Sequence, residues 1–118
     1  MEKFERTIRY INLYTIYRSL LTYTQQEIVG DYLLADLSIT EIAEERNISR
    51  SAVEDAISKA SKKLDDFENK LHVLVKKENI AKITAKLKEK SLNCTEIDEI
   101  EQIDKELDYG IWESNWKA

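Results

Sequence analysis

Residues 38–57, SITEIAEERNISRSAVEDAI, form the stretch that decides the predicted fold. The stretch is typical of two short helices joined by a tight turn. Ser38 can cap the first helix, and Glu41, three residues later, completes a capping box. Asn47 stands at the turn, where a residue that tolerates positive φ is needed, and Ser49 can cap the second helix. Together these signals predict a helix-turn-helix unit.

The apolar residues of the same stretch indicate its buried side. Ile42 and Ala43 give the first helix an apolar face, and a small residue such as Ala43 allows a second helix to approach closely. Ile48 is expected to fill the turn. Val53 and Ile57, four residues apart, are expected to point from the second helix into the core.

Composition indicates an all-α protein without metal or cofactor. The 118 residues include no Pro and two Gly, and the apolar spacing is helical almost throughout. A single Cys and a single His exclude an internal disulfide and a zinc set. The sequence contains no apolar run of about 20 residues and no signal-peptide core. We therefore expect a soluble, cytoplasmic protein with no membrane insertion.

The pattern predicts five or six helices in two parts. Residues 4–21 form the first helix, and Thr24 begins the second, with Glu27 at the capping-box position. After the helix-turn-helix, residues 76–79 are a plausible break before a basic fifth helix. Thr95 is expected to cap an acidic sixth helix that ends at Gly110.

The second helix of the motif continues into a heptad rhythm. Apolar residues follow one another in steps of four and three from Val53 to Leu74, which predicts one long helix from Ser49 to Leu74. It would be about 38 Å long. The predicted architecture is therefore all-α. Residues 1–75 form a helix-turn-helix bundle that contains the long recognition helix, and residues 76–118 form a C-terminal helical extension.

Several apolar side chains are candidates for an oligomer or partner interface. These are Leu64, Phe67, Leu71, Leu74, Ile100, Ile103, Leu107, Trp112 and Trp116. Residues 75–90 carry a net charge of +4 and residues 91–118 a net charge of −6, so the last two helices could pair within one chain or across a dimer. We expect a homodimer; the alternative is that the heptad stripe packs on the first helix within a monomer.

Signatures of catalysis are absent from the sequence. It has no Gly-rich phosphate loop and no nucleophile elbow. The neighbouring carboxylates Glu44 and Glu45 are interpreted as a solvated helix face, His72 as a boundary residue and Cys94 as an incidental small residue. We therefore expect no catalytic residues and no enzyme.

The helix-turn-helix supplies the candidate nucleic-acid contacts, since this unit usually presents its second helix to a DNA groove. The candidates are Arg46, Ser49, Arg50, Ser51, Glu54, Asp55, Ser58, Lys59, Lys62 and Lys63. Residues 37–74 are nevertheless slightly acidic, at −2, and carboxylates are costly beside phosphates. The alternative is that the trihelical unit serves only for packing.

The segment from Leu21 to His72 resembles the YlxM/p13 family, small bacterial proteins related to the helix-turn-helix at the C-terminal end of sigma factors. The resemblance rests on Leu21, Thr22, Gln25 or Gln26, Tyr32, Ser38, Glu41-Ile42-Ala43-Glu44, Ile48-Ser49-Arg50, Ala52-Val53, Asp55, Phe67-Glu68 and Lys70-Leu71-His72. One departure is Glu54, which stands where an aromatic or neutral residue is expected.

The resemblance implies a regulatory role in the bacterial signal recognition particle pathway. The family is associated with this pathway through its gene's place beside the genes for the particle's GTPase and receptor. Two functions follow as expectations: binding to DNA or to the particle's RNA, or an adaptor role on the GTPase or receptor without direct nucleic-acid binding.

Overall fold

The computed structural model describes residues 3–90 and 93–106, and within these ranges it contains helices and no strand. The helices are α1 (Lys3–Tyr17), a 3₁₀ turn (Arg18–Leu20), α2 (Tyr23–Leu33), α3 (Ile39–Arg46), α4 (Arg50–Leu71), α5 (Val73–Glu89) and α6 (Cys94–Glu106). The all-α expectation is confirmed. Within these ranges, none of the helices is long and apolar enough to cross a membrane.

The chain divides into two compact units, Met1–Leu71 and His72–Ala118. The predicted single helix from Ser49 to Leu74 is therefore wrong, because His72 adopts the left-handed conformation, with φ 55° and ψ 30°. The division falls four residues before the expected boundary at 75/76. The predicted break over residues 76–79 is also wrong, since α5 runs through it.

Capping boxes begin three of the helices. At α3 the prediction is confirmed: the Glu41 amide donates to Ser38 Oγ at 3.1 Å, and the Ser38 amide donates to Glu41 Oε1 at 3.1 Å. At α2 the box is formed by Thr22 and Gln25, not by Thr24. Threonines at 22 and 24 are each followed three residues later by Gln or Glu, so spacing alone could not choose between them.

The start of α6 differs from the prediction in the same way. The Glu96 amide donates to Asn93 Oδ1 at 2.9 Å, and the Asn93 amide donates to Glu96 Oε2 at 3.3 Å. Asn93 therefore caps this helix, and Thr95 lies inside it. The predicted end at Gly110 lies outside the described residues.

The first unit has a core built from α1, α2, α3 and α4. Its buried side chains include Leu13, Ile28, Ile42, Val53 and Leu64, each no more than 1% exposed. Burying side chains of this size contributes roughly 1.5–3 kcal/mol each. This core fixes α4 against the three helices that precede it.

Three tyrosines of α1 add directed hydrogen bonds to that packing. The Tyr17 hydroxyl donates to Glu68 Oε1 at 2.7 Å within the core, and the Tyr10 hydroxyl donates to Asp65 Oδ2 at 2.8 Å. The Tyr14 hydroxyl donates to the Gln26 carbonyl of α2 at 2.7 Å. Side-chain hydrogen bonds to α4 and α2 therefore set the register of α1.

The second unit is an antiparallel hairpin of α5 and α6. The Thr84 hydroxyl donates to Asp104 Oδ1 at 2.8 Å, and Lys88 Nζ lies 3.5 Å from Asp104 Oδ2 and 3.9 Å from Glu101 Oε1. Ile100 is buried. The basic and acidic helices thus pair within one chain, which is one of the two arrangements that the charge pattern left open.

Candidate nucleic-acid interface

The turn between α3 and α4 has the predicted geometry. Asn47 has φ 55° and ψ 46°, in the left-handed region. The Ile48 amide donates to the Ala43 carbonyl at 3.0 Å and the Asn47 amide to the Glu44 carbonyl at 3.3 Å, which is the Schellman pattern. These two bonds satisfy helix-end carbonyls and reverse the chain toward α4.

The start of α4 is capped and anchored. The Ala52 amide donates to Ser49 Oγ at 3.0 Å, as the sequence predicts. Val53 lies fully buried in a cluster with Ile28, Ile42 and Ala43, and Ile57 packs against the cluster. Ile48 is 38% exposed, so it fills the turn less completely than expected.

The side of α4 that faces away from this cluster is exposed. Most of the candidate residues lie there or at the cap: Ser49, Arg50, Ser51, Glu54, Asp55, Ser58, Lys59 and Lys62 are all exposed. Ser51, Asp55, Ser58 and Lys62 follow one another at three- and four-residue steps, so they share one stripe of the helix. The structure therefore brings these candidates together on one surface, which we call the α4 outer face.

Arg46 is held away from this role by an ion pair. Its Nε and Nη2 donate to Asp31 Oδ2 of α2 at 2.9 and 2.7 Å, and both side chains are partly buried. The hydrogen bond to Asp31 raises the pKa of Arg46 above its ordinary value. Arg46 thus fixes α3 against α2, and using it as a phosphate contact would disrupt that bond.

Lys63 is similarly tied to α2. Its Nζ donates to Gln25 Oε1 at 3.2 Å, and the same oxygen accepts the Thr22 amide in the capping box of α2. Lys63 is half-buried. It is therefore set apart from the exposed lysines of the α4 outer face.

One of the two carboxylates on the outer face is neutralised locally. Lys59 Nζ lies 3.0 Å from Asp55 Oδ2, an exposed pair four residues apart. Among the described residues, Arg50 and Lys62 form no ion pair at the distances of a salt bridge, and the same holds for Glu54. The face thus offers two available cations, two hydroxyls and one available carboxylate.

The predicted interface residues do not share one surface. Leu64 is buried in the core of the first unit, and the Phe67 ring lies 5.8 Å from that of Tyr17. Leu71 and Ile103 are exposed, whereas Leu74 and Ile100 are buried. Leu107, Trp112 and Trp116 lie outside the described residues. For Leu64 and Phe67 the structure shows packing within the chain; the homodimer itself stays a prediction.

The residues that hold the site in place are not among the candidates that the sequence suggests. Asp31, Gln25 and Asp65 anchor Arg46, Lys63 and α1 respectively, across separations of 15 to 56 residues. No local pattern marks these three residues, because their partners are brought near only by the fold.

A groove of about 270 Å³ lies elsewhere in the first unit, between α1, α2 and α4. Its lining includes the apolar Val29 and Ile57, the ring of Tyr32 and the cationic Lys3 and Arg6. In the part of the chain that the structure describes, no group of His, Cys, Asp or Glu side chains could hold a metal ion.

Comparison with known proteins gives one consistent family. The model of the UPF0122 family, YlxM/p13-like helix-turn-helix proteins, matches residues 4–105. A UPF0122 protein of Mycoplasma capricolum is 41% identical over 113 residues, covering 96% of this chain and 92% of its own. The UPF0122 protein YofM of Lactococcus lactis is 38% identical over 106 residues, covering 86% of this chain and 96% of its own.

The matched range includes the whole helix-turn-helix and most of the described hairpin. The capping box of α3, the left-handed Asn47 and the buried Val53 provide the structural counterpart of the family's helix-turn-helix description. The chain belongs to the UPF0122 family of YlxM/p13-like helix-turn-helix proteins.

Proposed function

We propose that this protein is a regulator of the bacterial signal recognition particle pathway that binds nucleic acid, DNA or the particle's RNA, through the α4 outer face. The observation that carries the proposal is the exposure of Arg50, Ser51, Ser58 and Lys62 along one side of α4, whose other side packs into the core. Arginine, lysine and serine side chains are the usual donors to phosphate oxygens.

The charges of this face favour contacts with the phosphate backbone over reading of bases. Arg50 stands at the first turn of α4, where the backbone amides also attract anions. Lys59 neutralises the charge of Asp55, but the carboxylate of Glu54 remains beside Arg50. Glu54 would face the bases if α4 entered the major groove. A carboxylate there can accept from the amino groups of cytosine or adenine, but the neighbouring phosphates repel it, so we expect Glu54 to contribute little to base recognition.

Salt dependence of binding tests the proposal. Titration of the full chain with duplex DNA and with the particle's RNA, at about 50 and 200 mM salt, should show binding that weakens steeply. On duplex DNA the log–log slope should be near −0.9 for each phosphate contact. Binding that is absent at micromolar protein, or insensitive to salt, would contradict the proposal.

Two matched variants locate the site. Arg50→Ala should weaken binding and reduce the magnitude of the salt slope by about one. Lys105→Ala removes an exposed cation of α6 and should change neither quantity. Equal effects of the two substitutions would indicate non-specific charge attraction instead of a site on α4.

The groove of the first unit favours a second candidate function, an adaptor that docks a segment of the particle's GTPase or receptor. Apolar side chains, an aromatic ring and two cations together suit a segment that carries apolar and acidic residues. Binding of the purified GTPase and of the receptor should then survive Arg50→Ala but weaken several-fold in Tyr32→Ser. The opposite pattern would favour the nucleic-acid function alone.

A further inference from the structure

The α5–α6 hairpin has two flanks of different character. Successive residues of an α-helix are about 100° apart around its axis. Lys88 of α5 and Glu101 of α6 form an ion pair, which marks one flank. Ile83 is about 140° from Lys88 around α5, and Ile103 is about 160° from Glu101 around α6. These two isoleucines therefore share the opposite flank.

That opposite flank is apolar and open to solvent. Ile83 is 57% exposed, Leu87 42% and Ile103 46%. Ile83 and Leu87 are one helical turn apart on α5, and Ile103 faces the same side from α6. Exposed apolar side chains that lie together on one flank, and are not scattered singly, often mark an interaction surface.

The strip is bordered by opposite charges along its two edges. Lys86 and Lys90 are exposed and lie three residues after Ile83 and Leu87 respectively, beside the strip on α5. Glu99 and Glu106 are exposed and lie four residues before and three residues after Ile103, beside the strip on α6. The edge along α5 is therefore basic and the edge along α6 acidic.

We propose that a second copy of this chain covers the strip, with α5 of each copy lying over α6 of the other. A two-fold axis parallel to the helices brings the basic edge of one copy onto the acidic edge of its partner at both sides of the interface. An axis perpendicular to the helices, in the interface plane, would instead place basic edge on basic edge. The strip is thus self-complementary in the way a two-fold interface requires.

The size of the strip sets the expected strength of the dimer. The α5 helix has 17 residues, about 26 Å of length, and two helices side by side are about 20 Å wide. Such a face buries roughly 1,000 Å² in total, at the low end for specific interfaces. The chain should therefore exchange between monomer and dimer at micromolar concentration.

Sedimentation equilibrium of the full chain, from low to several hundred micromolar, measures this directly. Ile83→Asp places a charge in the strip and should raise the dissociation constant at least about tenfold. The matched control is Ala85→Asp, which puts the same charge at an exposed position of α5 on the other side of the helix and should leave the constant unchanged. Circular dichroism checks that both variants keep their helices.

A charge-exchange experiment tests the orientation of the two copies. Reversing Lys86 and Lys90 to Glu, or Glu99 and Glu106 to Lys, should weaken self-association, because each variant has edges of one sign. Mixing the two variants should restore the dimer as a heterodimer. Combining all four reversals in one chain should also restore it. In the arrangement with like edges apposed, neither pair of reversals would weaken self-association, because the native chain and every variant would have like charges in contact.

Four results would overturn the inference: a monomer at every concentration, equal weakening by Ile83→Asp and Ala85→Asp, no weakening by either pair of charge reversals, or no restoration in the chain with four reversals. The nucleic-acid proposal concerns α4 of the first unit and is tested by Arg50→Ala. Failure of either proposal can therefore be recognised without reference to the other.

Discussion

At the scale of single residues, Asn47 shows how one backbone conformation fixes the motif. A left-handed conformation costs an ordinary L-residue about 1–2 kcal/mol, whereas Asn tolerates it and Gly has no Cβ to resist it. At Asn47 this conformation reverses the chain between α3 and α4. The placement of the α4 outer face thus depends on the identity of one turn residue.

Substitution of Asn47 should affect stability differently for Ala and for Gly. We expect Asn47→Ala to lower the free energy of unfolding by about 1 kcal/mol, because Ala resists positive φ. Asn47→Gly should leave it unchanged or slightly raise it. Urea unfolding of the two variants measures the difference, and equal destabilisation by Ala and Gly would show that the Asn side chain itself is required.

The pKa values of two tyrosines of α1 lead us to expect a loss of stability in strong base. Hydrogen bonding to Asp65 raises the pKa of Tyr10, and burial raises the pKa of Tyr14, above the ordinary value of 10.0. A pKa raised by folding adds stability that is present below the pKa of the unfolded chain. This stability is lost as the pH rises through the higher pKa of the folded chain.

Unfolding by urea at about pH 9 and pH 11 measures this loss. The native chain should lose more stability over the interval than the Tyr10→Phe, Tyr14→Phe double variant, which has no hydroxyl to ionise at these positions. An identical loss in both chains would show that the two tyrosines do not contribute to the pH dependence.

At the scale of elements, the hydrogen bonds between tyrosines and carboxylates lie at unequal depth. The Tyr17–Glu68 bond lies in the core, where Glu68 is 4% exposed. The Tyr23–Glu27 bond, at 3.2 Å, joins two residues of α2 at the surface. A hydrogen bond to a carboxylate contributes more where water cannot replace it.

This difference gives a matched pair of substitutions. Tyr17→Phe should lower the free energy of unfolding by about 1–3 kcal/mol, because it removes a donor from a buried carboxylate. Tyr23→Phe removes the same hydroxyl from an exposed pair and should cost less than about 0.5 kcal/mol. Thermal unfolding of both variants checks the ranking, and a larger cost for Tyr23→Phe would contradict it.

Local sequence signals predict where the helices begin and end, whereas contacts between residues distant in sequence determine which side chains remain available at the surface. The capping box at Ser38, the turn at Asn47 and the cap at Ser49 follow from neighbouring residues, so the sequence predicts them correctly. The left-handed His72 has no such signal, since neither Gly nor Pro marks it and the heptad rhythm continues across it. Arg46 was a contact candidate by its position, yet Asp31, 15 residues away in sequence, holds it.

At the scale of the whole molecule, the two units differ in how much they bury. The first unit contains most of the buried apolar side chains, whereas in the described part of the second unit Leu74, Thr84 and Ile100 are the buried residues. Stability within a structure follows such local burial. The second unit should therefore open at a lower free energy than the first.

Amide hydrogen exchange of the native chain should show this order. We expect amides of α5 and α6 to exchange first, and those of α2 and α4 around Ile28 and Val53 to exchange last. The experiment is best performed at low chain concentration, because association of two copies would protect the hairpin. Uniform protection across all six helices at low concentration would contradict the expected order.

The left-handed residue between α4 and α5 has an evolutionary consequence. Because the helical register of α4 ends at Leu71, the helices that follow His72 do not continue the heptad phase of α4. In one continuous helix with a heptad seam, a change of one residue would rotate everything beyond it by about 100°. With the left-handed His72 between the two helices, a change in chain length beyond it does not have to preserve that phase.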